Sequence, residues 1–378
     1  MQYRDFGKTG VKVSALGFGA MRLPQSEKDA IDLLRQGMDL GINYIDTAFV
    51  YGESEIRVGK AVKGRRSAVY ISTKNPIKNA LGTTWMNQLD TSLRRLDMDY
   101  VDFYHMHSIT LQDYESKITA PRGPLEAAAE ARQRGKIRFL SFSSHDKPEN
   151  VIKIIDSGVF DTMLVQYNLL DRQYEGAIAH AHAKGLGVAI MGPVGGGRLA
   201  APSEAIQRMI PGGTKSSAEM ALRFVLANPA VSVALSGMGT PQMLTENVAT
   251  ASRTEPLNAE EIKRVQDILD EKKRLAELYC TGCKYCMPCP NDIDIPGNFL
   301  YMNYYRVYSL KDYAREQYAK LSFPGDTRQQ GDSEPRGLRA ECCLECGECE
   351  PKCPQHIPII QQLKEVARKL GTGAAQQT

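Results

Sequence analysis

The chain has 378 residues, of which 42% are hydrophobic and 24% are charged, and its formal net charge is only +3. This length predicts two or three domains, and the balanced charge excludes the basic footprint of a nucleic-acid-binding protein. Because no run of about 18 apolar residues occurs and the N-terminal segment lacks the apolar core of a signal peptide, we expect a cytoplasmic protein with neither nucleic-acid nor membrane partners.

The first segments predict a hairpin followed by a repeating strand–helix pattern. Residues 3–13 favour a short hairpin that turns near Lys8-Thr9-Gly10. Eight short apolar runs, rich in Val, Ile, Tyr and Phe, then predict strands. They occupy residues 13–19, 42–48, 68–74, 100–107, 137–144, 162–168, 187–193 and 231–237. Amphipathic segments between them predict helices over 27–40, 84–96, 125–134, 149–157, 175–184 and 217–227.

This alternation predicts an α/β fold. Eight strand–helix units within about 250 residues are typical of a (β/α)8 TIM barrel. The alternative is an open doubly wound sheet, which requires Gly-x-Gly-x-x-Gly after its first strand to bind a dinucleotide. The chain has Gly17-Phe-Gly19-Ala-Met-Arg at that point and lacks the third glycine. We therefore predict a TIM barrel followed by a small, mainly helical domain.

All nine cysteines lie between Cys280 and Cys353. A disulfide-stapled secreted protein would spread an even number of cysteines, whereas clustered cysteines in a reducing compartment bind metals or carry out redox chemistry. The second run reads Cys343-Leu-Glu-Cys346-Gly-Glu-Cys349-Glu-Pro-Lys-Cys353-Pro. Its C-x2-C-x2-C-x3-C-P spacing is that of bacterial [4Fe–4S] ferredoxins.

The first cysteine run has the same form, with one residue fewer before its last cysteine. In this spacing the fourth cysteine ligates the other cluster rather than its own. We therefore predict two [4Fe–4S] clusters that exchange their fourth ligands. One set is Cys280, Cys283, Cys286 and Cys353, and the other is Cys289, Cys343, Cys346 and Cys349. Cys342 is left over or substitutes for Cys343, and structural zinc is the alternative metal because zinc sites with four cysteine ligands also use C-x2-C pairs.

The C-terminal part is predicted to be mainly helical around its cysteines. Helices are expected over 298–321 and 359–370, and the Pro- and Gly-rich segment 323–339 is typical of a loop. The predicted division is a barrel over 1–257, a linking helix over 258–278 and a ferredoxin-like domain with two [4Fe–4S] clusters over 279–378.

Four polar side chains follow strands at the end of the predicted barrel where such barrels place their active sites. Asp46 follows the second strand and Tyr51 lies in the loop after it. Lys74 ends the third strand and His107 ends the fourth. Singly, each has a structural explanation: a solvated lysine, a tyrosine in a turn or a histidine satisfied in a core. Together at one rim they indicate an acid site.

Three of these segments resemble a known family. Residues 41–62 (GINYIDTAFVYGESEIRVGKAV), 70–74 (YISTK) and 92–107 (SLRRLDMDYVDFYHMH) resemble the aldo-keto reductase superfamily, and the resemblance covers about residues 1–255. It implies hydride transfer between a nicotinamide cofactor, NAD(H) or NADP(H), and a small carbonyl or alcohol substrate. It also implies a catalytic tetrad, matched here by Asp46, Tyr51, Lys74 and His107.

The chemistry of these four residues is coherent. A carbonyl that accepts hydride becomes an alkoxide and needs a proton, but a tyrosine with a pKa near 10 is a weak acid at neutral pH. We expect Lys74, held in place by Asp46, to lower the pKa of Tyr51. We expect His107 to hydrogen-bond the carbonyl oxygen and orient it.

The resemblance also implies cofactor contacts at the ends of the last four barrel strands. These are Ser143, Ser144, Gln166, Met191, Gly192, Gly195, Gly196, Arg198, Ser236, Gly237, Met238, Gln242, Glu246 and Asn247. Met191 stands where the family usually stacks a tyrosine on the nicotinamide ring. Gly237 and Met243 stand where NADP-dependent members have cations for the 2′-phosphate, which favours NAD and leaves room for a flavin.

The two parts of the chain are predicted to transfer different numbers of electrons. Hydride carries two electrons and a [4Fe–4S] cluster carries one, and nicotinamide does not split the pair readily, whereas flavin does. Either a flavin is present or the clusters take no part in turnover. We expect the clusters to exchange electrons with a partner protein. The alternatives are a redox-sensing, nucleotide-binding protein with structural clusters and a flavin-dependent electron-transfer oxidoreductase.

Overall fold

The computed structural model describes residues 1–200, 202–277, 280, 285–322, 337–353 and 356–371, without the side chains of 198, 200 and 273–277. It divides into two compact units. The first unit comprises Met1–Gly197 and Ala218–Asn258, and the second comprises Arg198–Ser217 and Ala259–Thr378. The predicted boundaries at 257 and 278 stay a prediction, but the grouping of 198–217 with the C-terminal part was not foreseen.

The first unit is a closed barrel of eight parallel strands. They are β3 (Leu16–Gly19), β4 (Tyr44–Asp46), β5 (Tyr70–Pro76), β6 (Val101–His107), β7 (Ile137–Ser143), β8 (Thr162–Gln166), β9 (Gly187–Met191) and β10 (Val233–Ser236). Each strand pairs with the next along the chain, and β10 closes on β3. All eight predicted strands are present, so the predicted TIM barrel is confirmed.

Helices follow the barrel strands. They are α1 (Glu27–Asp39), α2 (Ser54–Val62), α3 (Gly82–Leu96), α4 (Leu111–Asp113), α5 (Pro124–Gln133), α6 (Pro148–Asp156), α7 (Glu175–Lys184), α9 (Ser217–Ala227) and α10 (Pro241–Ala251). Local sequence sets their ends. The Ser26 hydroxyl caps α1 by accepting from the Asp29 N–H at 3.3 Å. Gly185 ends α7 with a φ of 84°, a conformation that glycine adopts without strain.

A hairpin closes the N-terminal end of the barrel. Strands β1 (Tyr3–Asp5) and β2 (Lys12–Ser14) pair antiparallel, as predicted. Between them the Phe6 ring is fully buried and packs edge-on against Tyr44 and Phe103, with centroids 5.4 and 4.9 Å apart. This aromatic plug fills one end of the barrel, so the opposite end, where the strands finish, is the one left to carry a site.

The second unit is mainly helical, as predicted. Its helices are α8 (Glu204–Gln207), α11 (Ala259–Glu277), α12 (Ile295–Arg306), α13 (Lys311–Tyr318) and α14 (Ile359–Leu370). The single helix predicted over 298–321 is wrong, because the chain breaks between α12 and α13, where Ser309 has a φ of 54°. The predicted loop over 323–339 lies largely outside the described residues.

The segment 198–217 is bonded within this second unit. The Ser203 hydroxyl donates to the Tyr308 carbonyl at 3.0 Å, and the Arg264 Nε donates to the Met209 carbonyl at 3.1 Å. The segment therefore uses partners that lie about 50 to 100 residues further along the chain. Within the described parts of the chain, no helix is long and apolar enough to cross a membrane.

Candidate active site and cysteine centre

A buried ion pair lies at the open end of the barrel. The Lys74 Nζ, at the end of β5, lies 2.5 Å from the Asp46 Oδ1, at the end of β4. Two further bonds fix this pair: Lys74 donates to the Thr47 carbonyl, and the Ser72 hydroxyl donates to the other Asp46 oxygen, both at 2.7 Å. The lysine is only 2% exposed, so it is a buried charge. The alternative explanation, a solvated surface lysine, does not apply.

Tyr51 and His107 complete the group. The Lys74 ammonium lies 4.9 Å from the centroid of the Tyr51 ring, and the Tyr51 and His107 rings meet edge to face at 6.1 Å. The structure therefore brings all four predicted catalytic residues together. Tyr51 and His107 are partly exposed, whereas Asp46 and Lys74 are buried, so the two rings are the members of the group that a ligand can reach.

Burial decides the protonation of the two rings. It raises the pKa of Tyr51, and this effect outweighs the lowering by the nearby Lys74 charge. The predicted lowering by Lys74 is therefore present in this structure, but burial exceeds it. Burial and the Lys74 charge also lower the pKa of His107 to about 4. At neutral pH the site therefore holds a protonated phenol beside an uncharged imidazole.

This arrangement can deliver one proton to a bound oxygen. The phenol is an O–H donor, and the neutral imidazole has one N–H that can donate to the same acceptor. The fixed ammonium stabilises the phenolate that remains after proton transfer. These are the features of general acid catalysis at a carbonyl oxygen.

A further histidine lies below this group. His105 is fully buried. Burial lowers its pKa to about 4. It pairs in register with Lys74 on β5 and with Ser141 on β7, so it lies in the polar interior of the barrel.

The predicted cofactor residues at the ends of β7 and β8 are held by internal bonds. The Ser143 hydroxyl accepts from the Ser108 N–H at 2.8 Å, and the Ser144 hydroxyl donates to the Ile109 carbonyl at 2.7 Å. The Gln166 amide donates to the Asp171 carboxylate at 2.6 Å. These bonds fix the rim, and Asp171 is a polar neighbour of Gln166 that no sequence motif had indicated.

After β9, a glycine-rich turn follows Met191. Met191 is partly exposed and lies next to Gln166 in the register of β8 and β9. Gly192, Gly195 and Gly196 have φ values of 62°, 59° and 65°, which only glycine adopts readily. The predicted contact by the Arg198 side chain lies outside the described residues.

The predicted residues after β10 divide into buried and exposed members. Ser236 is buried and accepts from the Asn247 amide at 3.1 Å. Gln242 is exposed and donates to Glu246 at 2.9 Å. Met238 is fully buried.

Four of the predicted cluster ligands surround one cavity in the second unit. Its lining includes Cys289, Cys343, Cys346 and Cys349, together with apolar side chains such as Ile293 and Leu363. These four cysteines are one of the two predicted ligand sets. None of the eight described cysteines forms a disulfide. Over the described ranges, no three His, Cys, Asp or Glu side chains lie close enough to hold a single metal ion.

The second ligand set is described only in part. Cys280 and Cys353 are partly exposed and Cys286 is buried, while Cys283 lies outside the described residues. Cys342 does not line the cavity, which is consistent with its being the spare cysteine.

Comparison with known proteins accounts for both parts of the chain. The model of the Aldo/keto reductase family matches residues 15–270, and that of the 4Fe-4S dicluster domain matches residues 279–357. The chain is 28% identical to the "Uncharacterized oxidoreductase YqkF" of Bacillus subtilis, over 70% of this chain and 96% of that protein. It is 30% identical to L-galactose dehydrogenase of Arabidopsis thaliana, over 73% of this chain and 96% of that enzyme.

Solved structures give the same result. The holo form of the aldo-keto reductase AKR11C1 from Bacillus halodurans superposes with a TM-score of 0.63 and 29% identity, covering 71% of this chain and 96% of that one. The thermostable aldo-keto reductase Tm1743 superposes with a TM-score of 0.60 and 27% identity, covering 71% of this chain and 99% of that one. The chain belongs to the aldo-keto reductase family and carries a 4Fe-4S dicluster domain after its barrel.

Proposed function

We propose that the protein is an NAD(P)H-dependent oxidoreductase that interconverts small carbonyl compounds and alcohols, with Tyr51 as the general acid. The observation that carries this proposal is the buried Lys74–Asp46 pair beside Tyr51 and His107. A purely structural ion pair would not need a partly exposed tyrosine and an uncharged histidine above it.

Each residue has one role in the proposed reaction. His107 donates a hydrogen bond to the substrate oxygen and orients it. Tyr51 donates its proton to that oxygen as negative charge develops there. Lys74 stabilises the resulting phenolate, and Asp46 fixes the lysine. A bound nicotinamide would supply the hydride, and the chain's own residues supply the proton and the orientation.

The rim suits a nicotinamide dinucleotide. Gly192, Gly195 and Gly196 form a turn without side chains after β9, where a backbone can approach a phosphate closely. Gln166 carries the amide that would pair with a carboxamide, and Asp171 fixes that amide. Neither Gly237 nor Met243 offers a cation for a 2′-phosphate, which supports NAD over NADP.

The cysteine centre supports a second part of the proposal. We propose that Cys289, Cys343, Cys346 and Cys349 hold one [4Fe–4S] cluster and that the remaining set holds another. The clusters would exchange single electrons with a partner protein in a reducing cytoplasm. A flavin would be needed if these electrons pass to or from the hydride donor, and Met191 leaves the ring position open enough for one.

The decisive experiment is Tyr51→Phe, assayed with NADH and NADPH on small aldehydes such as 4-nitrobenzaldehyde. We expect kcat to fall about 10²- to 10⁴-fold, because proton transfer is lost while the fold and the nucleotide contacts are kept. Tyr3→Phe, at an exposed tyrosine of the hairpin, is the matched control and should keep full turnover. Unchanged turnover in Tyr51→Phe would rule out the assignment.

An anaerobic absorption spectrum separates the cofactor alternatives. Iron–sulfur and flavin bands are recorded before and after NADH is added. Bleaching of the iron–sulfur band by NADH supports clusters coupled to hydride chemistry, whereas an unchanged band supports clusters that serve another role.

A further inference from the structure

The loop that carries Tyr51 is bonded to the strand that carries Lys74. Residues 47–53 form this loop between β4 and α2. The Phe49 N–H donates to the Lys74 carbonyl at 2.9 Å. Phe49 stands two residues before Tyr51, so its backbone joins the catalytic loop to β5 close to the reacting phenol.

Arg95 holds the same loop residue from the other side. It lies in the last turn of α3, and its Nη1 donates to the Phe49 carbonyl at 2.9 Å. Its guanidinium carbon lies 4.6 Å from the centroid of the Phe49 ring. A guanidinium over an aromatic face is attracted by the charge distribution of the ring. Arg95 therefore contacts both the backbone and the side chain of Phe49.

Glu55 fixes Arg95 in this position. Its Oε2 lies 3.3 Å from the Arg95 Nη1, and the glutamate side chain is fully buried whereas that of Arg95 is 34% exposed. The other oxygen of Glu55 accepts from the Thr73 hydroxyl at 2.7 Å. A buried carboxylate is costly without a cationic partner. The charge of Glu55 therefore keeps the guanidinium next to the loop.

These contacts brace the loop on both sides of Tyr51. Phe49 precedes the tyrosine by two residues, and Glu55 follows it by four at the start of α2. The Lys74 ammonium lies 4.9 Å from the centroid of the Tyr51 ring, and proton transfer from the phenol depends on this placement. A misplacement of about 1 Å, caused by a change away from the reacting atoms, can cost about 10²-fold in rate.

We propose that Arg95, held by Glu55, is a positioning residue that keeps the Tyr51 loop against β5. It acts through Phe49 and needs no contact with the substrate. This inference rests on the proposed function, because it requires Tyr51 to be the general acid. It deepens that function by assigning the group that sets the position of the acid.

The test measures kcat and KM for reduction of 4-nitrobenzaldehyde, together with the dissociation constant of NADH, in the full-length protein. The matched control is Arg94→Met, at the neighbouring arginine of α3, which is exposed and donates to the Thr91 hydroxyl at 2.9 Å. We expect Arg95→Met to lower kcat about 10- to 100-fold, with little change in KM or in NADH affinity, because the acid is misplaced while the binding groups stay. Arg95→Lys should recover part of kcat, and Arg94→Met should leave it unchanged.

A second variant separates positioning from stability. Arg95→Met leaves the buried Glu55 charge without its partner, whereas Arg95→Met combined with Glu55→Gln removes both charges. We expect the combined variant to regain stability in urea unfolding but to keep the low kcat, because the Phe49 carbonyl has still lost its donor. If kcat returns together with stability, Arg95 serves only to neutralise Glu55 and the proposal is wrong.

The Tyr51→Phe background shows whether Arg95 acts through the tyrosine. Residues that act as a unit are not additive, so adding Arg95→Met to Tyr51→Phe should lower kcat no further. A second drop as large as that in the wild-type background would overturn the proposal. If Tyr51→Phe lowers turnover but Arg95→Met does not, the proposed function stands and the role of Arg95 is wrong. If Tyr51→Phe turns over like the wild type, the proposed function itself fails.

Discussion

The Lys74 ammonium and the Asp46 carboxylate approach to 2.5 Å with side chains that are only 2% and 6% exposed. Taking two charges out of water is costly, and a buried ion pair is weak evidence for stability. The chain nevertheless buries this pair beside Tyr51, with the ammonium 4.9 Å from the centroid of its ring. The Lys28–Asp32 pair on α1 offers a contrast, since both of its side chains are largely exposed.

Replacing the buried carboxylate should cost both stability and activity. In Asp46→Asn the Lys74 charge stays buried without a counter-ion, so we expect a loss of about 3–5 kcal/mol in the free energy of unfolding. The exposed equivalent, Asp32→Asn, should cost less than about 1 kcal/mol. Urea unfolding of both variants measures the difference. Equal losses would show that burial of the Lys74–Asp46 pair has no energetic weight.

Acid should destabilise the barrel through its buried His105. The pKa of His105 is lowered to about 4, so the folded state resists a proton that the unfolded chain accepts below about pH 6.5. The free energy of unfolding should therefore be constant above pH 6.5 and fall as the pH drops from 6.5 towards 4. His105→Met should flatten this fall, whereas a substitution at the exposed His182 should not. Denaturant titrations at pH 4.5, 5.5 and 7 measure the effect, and an unchanged slope in His105→Met would contradict it.

The rate of carbonyl reduction should fall only at high pH. Burial raises the pKa of Tyr51 above its ordinary value of 10, so the acid stays protonated through neutral and moderately alkaline pH. We expect kcat/KM for reduction to stay level up to about pH 10 and to fall only beyond it, because kcat/KM reports the free enzyme. An inflection near pH 7 or 8 would show that Tyr51 ionises more easily than its burial allows.

The cysteines of the second unit should divide into ligands and one spare. Cys289→Ser removes a residue that lines the four-cysteine cavity, and we expect the iron content to fall from about eight towards about four per chain. Cys342→Ser is the matched control and should keep the full content. Iron and labile sulfide are measured after anaerobic purification. A full iron content in Cys289→Ser would remove Cys289 from the ligand set.

The periodicity of the sequence predicted the barrel well, because each strand and helix buries one regular face. Seven of the strands β3 to β10 lie within the predicted apolar runs, β5 extends two residues beyond its run, and α7 and α14 match their predicted bounds. Periodicity does not report a single strained residue, and the break at Ser309 was missed for that reason. Periodicity also does not show how deeply a side chain is buried. The pKa of Tyr51 depends on the burial of its ring, which only the folded chain shows.

Contacts between segments that are distant in sequence were the second feature that the sequence did not predict. Arg95 was assigned no role, and its bond to the Phe49 carbonyl joins residues 46 apart. The signal available was a basic residue three positions after Ser92 and next to Leu96, which are both buried on α3. The cysteine spacing, in contrast, is set by the cluster itself, so the predicted grouping of Cys289 with Cys343, Cys346 and Cys349 agrees with the cavity that they line.

The grouping of residues 198–217 with the C-terminal part changes how the two parts can be separated. The chain leaves the barrel unit just after the glycine turn, enters the second unit, and returns before β10. A protein shortened to end at Asn258 would keep this segment but lose Tyr308 and Arg264, to which it is bonded. A barrel separated in this way would carry, after its glycine turn, a segment that has lost these two hydrogen-bond partners.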